Sequence, residues 1–292
     1  YVLFAAIALE YFLASVVAQQ RFPYATNENA EAPETDEEPA LRKYWHYCLP
    51  LIPYSCVSFA YEFADRWLLQ KFGGGVEQAY YAVSAQFAGV ALIATSSILR
   101  IFWKEIAEAH HNGDHARTGI LYQKVSRLLF LIGAIIAGYF IPWAENVMQL
   151  VLGTAYAGGA TTLAIMFLFP VHQSMGQIGS TMLLATEQVR LQVITGIVFM
   201  VVSIGITYFI LASPQAKIPG LGLASEGLAW KMVGLQILSV NVIAYLIARL
   251  WKWPFDWTYQ PVSLLGCVGI GALSFMASTS LTGAGLSSVS RA

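Results

Sequence analysis

Long apolar stretches alternate with short polar or glycine- and proline-containing segments along most of the chain. Eight of these stretches are poor in charge and close to the roughly 20 residues that an α-helix needs to cross a bilayer. They are residues 1–18, 46–69, 79–102, 127–144, 160–186, 191–212, 226–248 and 260–281. Transmembrane β-strands would show alternating segments of roughly ten residues instead. The pattern therefore predicts an all-α, polytopic membrane helix bundle of about eight spans.

The composition supports this prediction. Hydrophobic residues make up 57% of the 292 residues and charged residues 11%, whereas about 25% of a soluble domain is charged. The net charge of −1 provides no general attraction to nucleic acid, so no nucleic-acid partner is expected. Cys48, Cys56 and Cys267 lie in apolar surroundings without the spacing of metal ligands. We therefore expect neither a metal site nor another cofactor.

Residues 19–44 differ from the rest of the chain. The sequence "ENAEAPETDEEP" carries six acidic residues between Glu28 and Glu38, together with prolines, and no basic residue. Such a segment cannot bury enough apolar area to fold, so it predicts a solvated linker. The chain begins inside the apolar run "YVLFAAIALEYFLASVVA". This start predicts that the sequence is a piece of a longer protein.

The distribution of lysine and arginine predicts the orientation in the membrane. Most of these residues fall at loops and helix ends on the side of residues 19–44. The opposite side has only Arg66, Lys71, Lys217 and Arg291. Because basic residues concentrate in cytoplasmic loops, we expect 19–44 and 103–126 in the cytoplasm and 70–78 and 213–225 outside. The expected location is the cytoplasmic membrane.

A polar stripe marks the second predicted span. Tyr54, Ser58, Glu62 and Asp65 are spaced by four, four and three residues, which places them on one helix face, with Arg66 next to it. Charged groups inside a membrane usually face the protein interior or a water-filled cavity. One interpretation is structural, with Asp65 and Arg66 as interface anchors and Glu62 paired to a neighbouring helix. The other is a cavity wall that contacts a hydrophilic head group or a coupling cation.

Four further residues are candidates for a role in binding. Arg100 ends the third span, either as a cytoplasmic anchor or as a contact for an anionic lipid pyrophosphate. Lys231 lies inside the seventh span, where it would pair with an acidic residue or extend towards the interface. His172 and Gln173 follow Pro170, which frees a backbone carbonyl and predicts a kink or a lined cavity. A role of His172 with substrate or protons is an alternative to a structural one.

Three segments resemble polysaccharide flippases, members of the superfamily of multidrug, oligosaccharidyl-lipid and polysaccharide exporters. The segments are "FADRWLLQKFGGGVEQAYYAVSAQFAG" (63–89), "GTAYAGGATTLAIMFLFPVHQSMGQIGSTMLLATEQVRLQ" (153–192) and "IPGLGLASEGLAWKMVGLQI" (218–237). The resemblance as a whole extends over roughly residues 45–285. The third segment departs from the family pattern, because Glu226 and Lys231 stand where relatives usually have small or apolar residues.

The resemblance implies a transporter of two six-helix lobes that face each other across a central cavity. It divides the chain into the last helix of a missing N-terminal lobe (1–18), a cytoplasmic linker (19–44), the C-terminal lobe (45–250) and an additional helix with a tail (251–292). The implied substrate is a lipid-linked glycan of the polyprenyl-pyrophosphate type. The implied partners are membrane lipids and the polysaccharide polymerase machinery.

Several functions agree with these features. The first is a secondary flippase for a lipid-linked oligosaccharide or polysaccharide repeat unit, which would not be an enzyme. The second is an ion-coupled multidrug or metabolite exporter of the same superfamily. A membrane-bound glycosyl- or acyltransferase is a third, but it needs a cluster of carboxylates or histidines, and "HHNGDH" (110–115) fits a turn better than a zinc site. A scaffold for polymer assembly is the fourth.

Overall fold

A computed structural model of the chain describes residues 42, 45, 47–253 and 257–289, except the side chains of 94–97 and 281–289. The predicted first span, the acidic linker apart from Arg42, and residues 290–292 lie outside this part. The described secondary structure is helical throughout. The helices are α1 (Leu51–His111), α2 (His115–Phe140), α3 (Ala144–Leu152), a 3₁₀ helix (Thr154–Gly159), α4 (Ala160–Met166), α5 (Phe169–Ala185), α6 (Val189–Leu211), α7 (Ala224–Trp251) and α8 (Tyr259–Val289).

The chain is an all-α, multi-pass membrane bundle. Four helical segments are long and apolar enough to cross a membrane: α2, α6, α7 and the part Tyr259–Ser280 of α8. If each of two bent helix pairs is counted as one further span, the described residues contain up to six candidate spans. Large apolar side chains such as Leu150, Leu265 and Ile270 are exposed on the outside of the bundle. A lipid environment accommodates such a surface, because it does not require polar groups there.

Helix α1 consists of two arms that meet at Gly74. Its 61 residues would extend about 92 Å in a straight helix, three times the roughly 30 Å of the hydrocarbon core. Gly74 has φ 81° and ψ −178°, outside the helical region, in a conformation that glycine adopts most readily. The first arm (51–73) and the second arm (75–111) correspond to the predicted spans 46–69 and 79–102. Gly74 belongs to the run of three glycines, 73–75, that separates these two predicted spans.

Contacts with α7 indicate that the chain reverses at Gly74. Asp65 precedes Gly74 by nine residues, and Glu77 follows it by three. If the chain reverses direction at Gly74, the difference of six residues places Asp65 and Glu77 about 9 Å apart along the bundle axis. Their partners on α7 are Lys231 and Ser225, which are separated by six residues and therefore also by about 9 Å. The spacing of the two contacts along α7 thus equals the spacing expected for two arms that run in opposite directions.

The contact between Glu77 and Ser225 caps the start of α7. The Glu77 carboxylate accepts hydrogen bonds from the backbone N–H of Ser225 (3.1 Å) and from its hydroxyl. The hydroxyls of Thr162 and Ser225 are 3.0 Å apart. A carboxylate at a helix N-terminus is favourable because the first backbone N–H groups lack partners inside the helix. Glu77 therefore fixes α7 to the second arm of α1, and Thr162 extends the contact to α4.

The predicted span 160–186 is not one continuous helix. A bend of 42° separates Thr154–Met166 from Phe169–Ala185. Pro170 stands in the first turn of α5, where a proline costs little because the first N–H groups have no partner within the helix. The break therefore precedes the proline rather than following it.

Helix α8 packs on α2 through glycines. A side-chain carbon on Gly271 would overlap the carbonyl oxygen of Gly138, and one on Gly138 would overlap the backbone at Cys267. Small residues allow membrane helices to approach closely in this way. Only 6% of the apolar window of α8 is buried, so this helix lies at the edge of the described bundle.

Candidate transport cavity

A cavity of about 970 Å³ lies between the two arms of α1 and helices α5, α6 and α7. Each segment contributes positions that recur every three or four residues, as on a single helix face. On the second arm, for example, the series includes Gln78, Tyr81, Ala82, Ala85 and Gln86. The cavity is therefore formed by the inward faces of five helical segments.

Uncharged polar side chains dominate the hydrogen-bonding surface of this cavity. Six glutamines line it: Gln78, Gln86, Gln173, Gln177, Gln192 and Gln236. Tyrosines from both arms of α1 and five serine or threonine residues add hydroxyl groups. Met166, Phe169, Phe199 and Met200 supply apolar contact area. Such a mixture of apolar surface and placed polar groups is typical of a ligand site.

The structure places six of the nine predicted site residues at this cavity. They are Tyr54, Ser58, Glu62, Asp65, Arg66 and Gln173. The other three, Arg100, His172 and Lys231, do not line it. The polar stripe of the first arm thus faces the same space as the amides of α5 and α7.

Asp65 is the buried charge of the cavity wall. It is 4% exposed, and both of its carboxylate oxygens accept hydrogen bonds. Lys231 Nζ lies 2.7 Å from Oδ2, and Thr207 Oγ1 lies 2.6 Å from Oδ1. Because the Thr207 oxygen is also 2.8 Å from the Ser203 carbonyl, α6 holds this hydroxyl close to its helix axis. The carboxylate is therefore paired on one side by α7 and on the other by α6.

Lys231 lies behind the wall and is also 4% exposed. Its ammonium lies 4.8 Å from the centre of the Tyr61 ring, within the range of a cation–π contact. The Tyr61 hydroxyl donates to the sulfur of Met232 at 3.1 Å. A buried ion pair is strongly destabilised when one partner is removed, because the remaining charge has no compensation. The pairing with an acidic residue, one of the two interpretations of Lys231, is what the structure shows.

Glu62 and Arg66 are the charged groups that face the open side of the wall. Both are exposed and line the cavity. They stand four residues apart, one helical turn, so a negative and a positive group are neighbours on the same face. Their charges offset each other locally.

His172 and Arg100 occupy other surroundings. His172 is 5% exposed, and its ring contacts the ring of Phe130 on α2 edge-on at 5.3 Å between centroids. Adjacent positions on a helix point about 100° apart, so Gln173 lines the cavity while His172 packs against α2. Arg100 is exposed on the second arm, one residue beyond Leu99, which lines the cavity.

The histidine-rich segment 110–115 forms a turn. Asp114 accepts a hydrogen bond from the Arg117 backbone N–H at 2.9 Å and so caps α2. The rings of His110 and His115 are 6.1 Å apart between centroids. Within residues 47–253 and 257–289, no group of three or more His, Cys, Asp or Glu residues is arranged to hold a metal ion.

Five cavity glutamines were not among the residues predicted from sequence. They are Gln78, Gln86, Gln177, Gln192 and Gln236. The signal was available, because Gln173 and Gln177 are one turn apart within an apolar segment, as Ser58 and Glu62 are on the first arm. Polar residues at helical spacing within an apolar span therefore indicate a cavity-facing side when they are uncharged amides as well as when they are charged.

Two solved transporters resemble the described part of the chain. The first is an outward-facing multidrug resistance transporter of the MATE family of the MOP superfamily, with TM-score 0.63 and 14% identity, covering 80% of this chain and 52% of that chain. The bundle has the MOP transporter fold. The second is a MOP superfamily transporter from Pyrococcus furiosus, with TM-score 0.55 and 14% identity, covering 79% of this chain and 51% of that chain. The chain spans about half the length of both MOP transporters. No family model and no curated protein matches its sequence.

Proposed function

We propose that the chain forms one half of a secondary flippase of the MOP superfamily, and that this half is the C-terminal lobe. The flippase moves a lipid-linked oligosaccharide from the cytoplasmic to the outer leaflet of the cytoplasmic membrane. The MOP fold and the match to half of two longer transporters support this assignment. Alternating access around a central site requires two halves, and the cavity of this half is the surface that would face the other.

The observation that carries the proposal is the chemical character of the cavity. A space of about 970 Å³ inside an apolar bundle is lined by amides, hydroxyls and aromatic rings. Sugar residues present hydroxyls that donate and accept hydrogen bonds, together with apolar C–H faces. Amides and hydroxyls offer both donors and acceptors, and tyrosine combines an apolar ring with a polar end. The lining therefore matches an oligosaccharide better than a purely apolar ligand.

An ion-coupled multidrug exporter is the second candidate, and one observation favours it. Glu62 is exposed at the cavity and could attract a lipophilic cation, with Phe169 and Phe199 as apolar contacts. The deeper carboxylate, Asp65, is already bound by Lys231 at 2.7 Å. A cationic drug would therefore find one carboxylate at the wall, with Arg66 one turn away.

A reconstitution experiment separates the two candidates. The protein in its full native length is placed in vesicles that contain a fluorescent lipid-linked oligosaccharide, and access of a membrane-impermeant quencher reports transfer between leaflets. The double variant Gln173→Leu/Gln236→Leu removes two amides from the wall, and Gln188→Leu, an exposed glutamine before α6, is the matched control. Two hydrogen bonds at about 1 kcal/mol each predict a loss of roughly thirtyfold in the double variant.

The result expected is transfer by the native protein and by Gln188→Leu, with strong loss in the double variant. Uptake of tetraphenylphosphonium without transfer of the glycan lipid would establish the exporter and overturn the proposal. If the double variant transferred the glycan lipid at the native rate, the cavity would not be the route by which the glycan crosses the membrane.

A further inference from the structure

We infer that the glutamine wall of this cavity selects an uncharged, hydroxyl-bearing segment of the glycan and discriminates against sugars that carry a carboxylate. The glutamine wall consists of Gln78, Gln86, Gln173, Gln177, Gln192 and Gln236. This inference rests on the proposed function and names the substrate class that this half recognises.

Amides from separate helices converge on the cavity. Two glutamines come from the second arm of α1, two from α5, and one each from α6 and α7. Burial of an amide without a partner is unfavourable. Six amides directed at one cavity provide paired donors and acceptors for a ligand with many hydroxyls.

The amide of Gln192 is only partly hydrogen-bonded. This residue is 7% exposed, and its Nε2 atom donates to the Ser180 hydroxyl at 2.9 Å. That bond joins α6 to α5. Its carbonyl oxygen is buried without a hydrogen-bond partner among the described residues, and the same is true of Gln78 Oε1. Buried polar atoms are normally paired, so rotation of either side chain into the cavity would offer an unpaired acceptor to a ligand.

These free acceptors determine which ligand groups fit. A sugar hydroxyl or the N–H of an acetamido group donates to a carbonyl oxygen. An ionised carboxylate only accepts hydrogen bonds, so it leaves both oxygens unsatisfied and brings its negative charge close to them. The wall therefore favours donors and disfavours acidic sugars.

The cavity wall carries little positive charge. Among the described lining residues, Arg66 is the only cation, and Glu62 lies one turn away. Lys231 lies outside the cavity and is bound to Asp65. An acidic sugar would lose hydration on entering, and Glu62 and Arg66 together give the open side of the wall no net positive charge in exchange.

Packing holds the polar groups in place before a ligand arrives. A side-chain carbon at Gly176 would lie 3.0 Å from Gln236 Nε2, so the amide of α7 rests against the backbone of α5 at this glycine. The ring of Tyr54 lies against Gly196 of α6 in the same manner. Groups that are already positioned lose less freedom on binding, which improves affinity and selectivity.

A binding comparison tests the inference. The full-length protein is placed in lipid nanodiscs, and its affinity is measured for three probes on the same polyprenyl pyrophosphate: a tetrasaccharide of glucose, the same glycan with one glucose oxidised to glucuronate, and that glucuronate converted to its primary amide. The lipid and the pyrophosphate are constant, so any difference comes from the sugar. We expect the neutral probe to bind about tenfold more tightly than the acidic one and the amide to restore the affinity.

Two variants connect the selectivity to the wall. Gln192→Leu should weaken binding of the neutral probe more than that of the acidic probe, whereas Gln188→Leu should change neither. Gly176→Ala, which displaces Gln236, should also reduce the difference in affinity between the neutral and the acidic probe. Gly205→Ala on α6 is its matched control, because no atom lies within 4 Å of the added carbon.

Each outcome has a separate meaning. Equal or tighter binding of the acidic probe, or unchanged selectivity in Gln192→Leu, would overturn the inference and leave the flippase assignment intact. Failure of all three probes to bind, with retained binding of tetraphenylphosphonium, would overturn the proposed function itself.

Discussion

Asp65 and Lys231 are separated by 166 residues in the chain, and their charged atoms are 2.7 Å apart in the structure. The ion pair connects the first arm of α1 to the middle of α7 at the wall of the cavity. Both side chains are almost completely buried, at 4% exposure each. The ion pair therefore holds the first arm of α1 against α7 and, in doing so, fixes this part of the cavity wall.

Removal of the ammonium should destabilise the bundle. Lys231→Met leaves the Asp65 carboxylate buried without its cation, and we expect a loss of about 3–5 kcal/mol in the free energy of unfolding. The double variant Asp65→Asn/Lys231→Met contains no buried charge at this position and should recover most of that loss. Thermal and denaturant unfolding of the purified protein measure the effect.

Lys217→Met is the control, since Lys217 is exposed in the loop before α7 and should stay within about 0.5 kcal/mol of the native protein. A Lys231→Met variant as stable as this control would show that the ion pair does not hold the helices.

The hydroxyl of Thr207 should contribute less than the ammonium. Thr207→Val removes its hydrogen bond to Asp65 Oδ1, 2.6 Å long, and should cost about 1.5–3 kcal/mol, because the acceptor is charged. Thr207→Ser keeps the hydroxyl and should cost clearly less. A loss in Thr207→Val no larger than the loss in Thr207→Ser would show that the hydrogen bond contributes no more than the packing of the methyl group.

The sequence predicted the polar stripe of the first arm because helical spacing of polar residues in an apolar span has few explanations. It could not predict the partner of Asp65, since a buried charge requires compensation without specifying which helix provides it. His172 and Gln173 illustrate the same limit. They are adjacent in sequence, yet only the packing of α5 against α2 decides which of the two lines the cavity.

The turns were predictable to different degrees. Three consecutive glycines at 73–75 separate two predicted spans, and the positive φ at Gly74 locates the change of direction. The break before α5 was less visible, because Pro170 follows the bend instead of forming it. Lengths and composition thus predicted the spans, while tertiary contacts set where each helix begins and ends.

The start of α7 should loosen when its external cap is removed. Glu77→Ala deletes the carboxylate that accepts from the backbone N–H of Ser225 at 3.1 Å. We expect faster hydrogen–deuterium exchange at residues 225–228, with a loss of about 1–2 kcal/mol, as for other N-terminal caps. Glu145→Ala, which alters an exposed residue of α3, is a suitable control. Unchanged exchange in the first turn of α7 would contradict the capping role.

The contact between α2 and α8 should tolerate no side chain at Gly271. Gly271→Val would force a carbon into the carbonyl of Gly138 and should cost about 1–3 kcal/mol, as overpacking does. Gly269→Val on the same helix has no atom within 4 Å of the added carbon and should be nearly neutral. Melting temperatures compare the two variants, and equal temperatures would show that α8 is not packed on α2 in this way.

The polar stripe should be accessible to water. In a protein without its native cysteines, Ser58→Cys should react with a small hydrophilic thiol reagent, while Leu68→Cys, at a buried position of the same arm, should react much more slowly. Equal protection of both positions would mean that the stripe is sealed inside the protein.

The most direct test of the account is protection of this cavity position by a ligand. The labelling rate of Ser58→Cys is measured in the full-length protein in nanodiscs, without and with a saturating neutral lipid-linked oligosaccharide. Cys at position 58 lies on the cavity wall, so a bound glycan should slow labelling several-fold, while an exposed control, Gln188→Cys, should be unaffected. Labelling of position 58 at the same rate with and without the bound glycan would contradict the claim that this cavity is the glycan site.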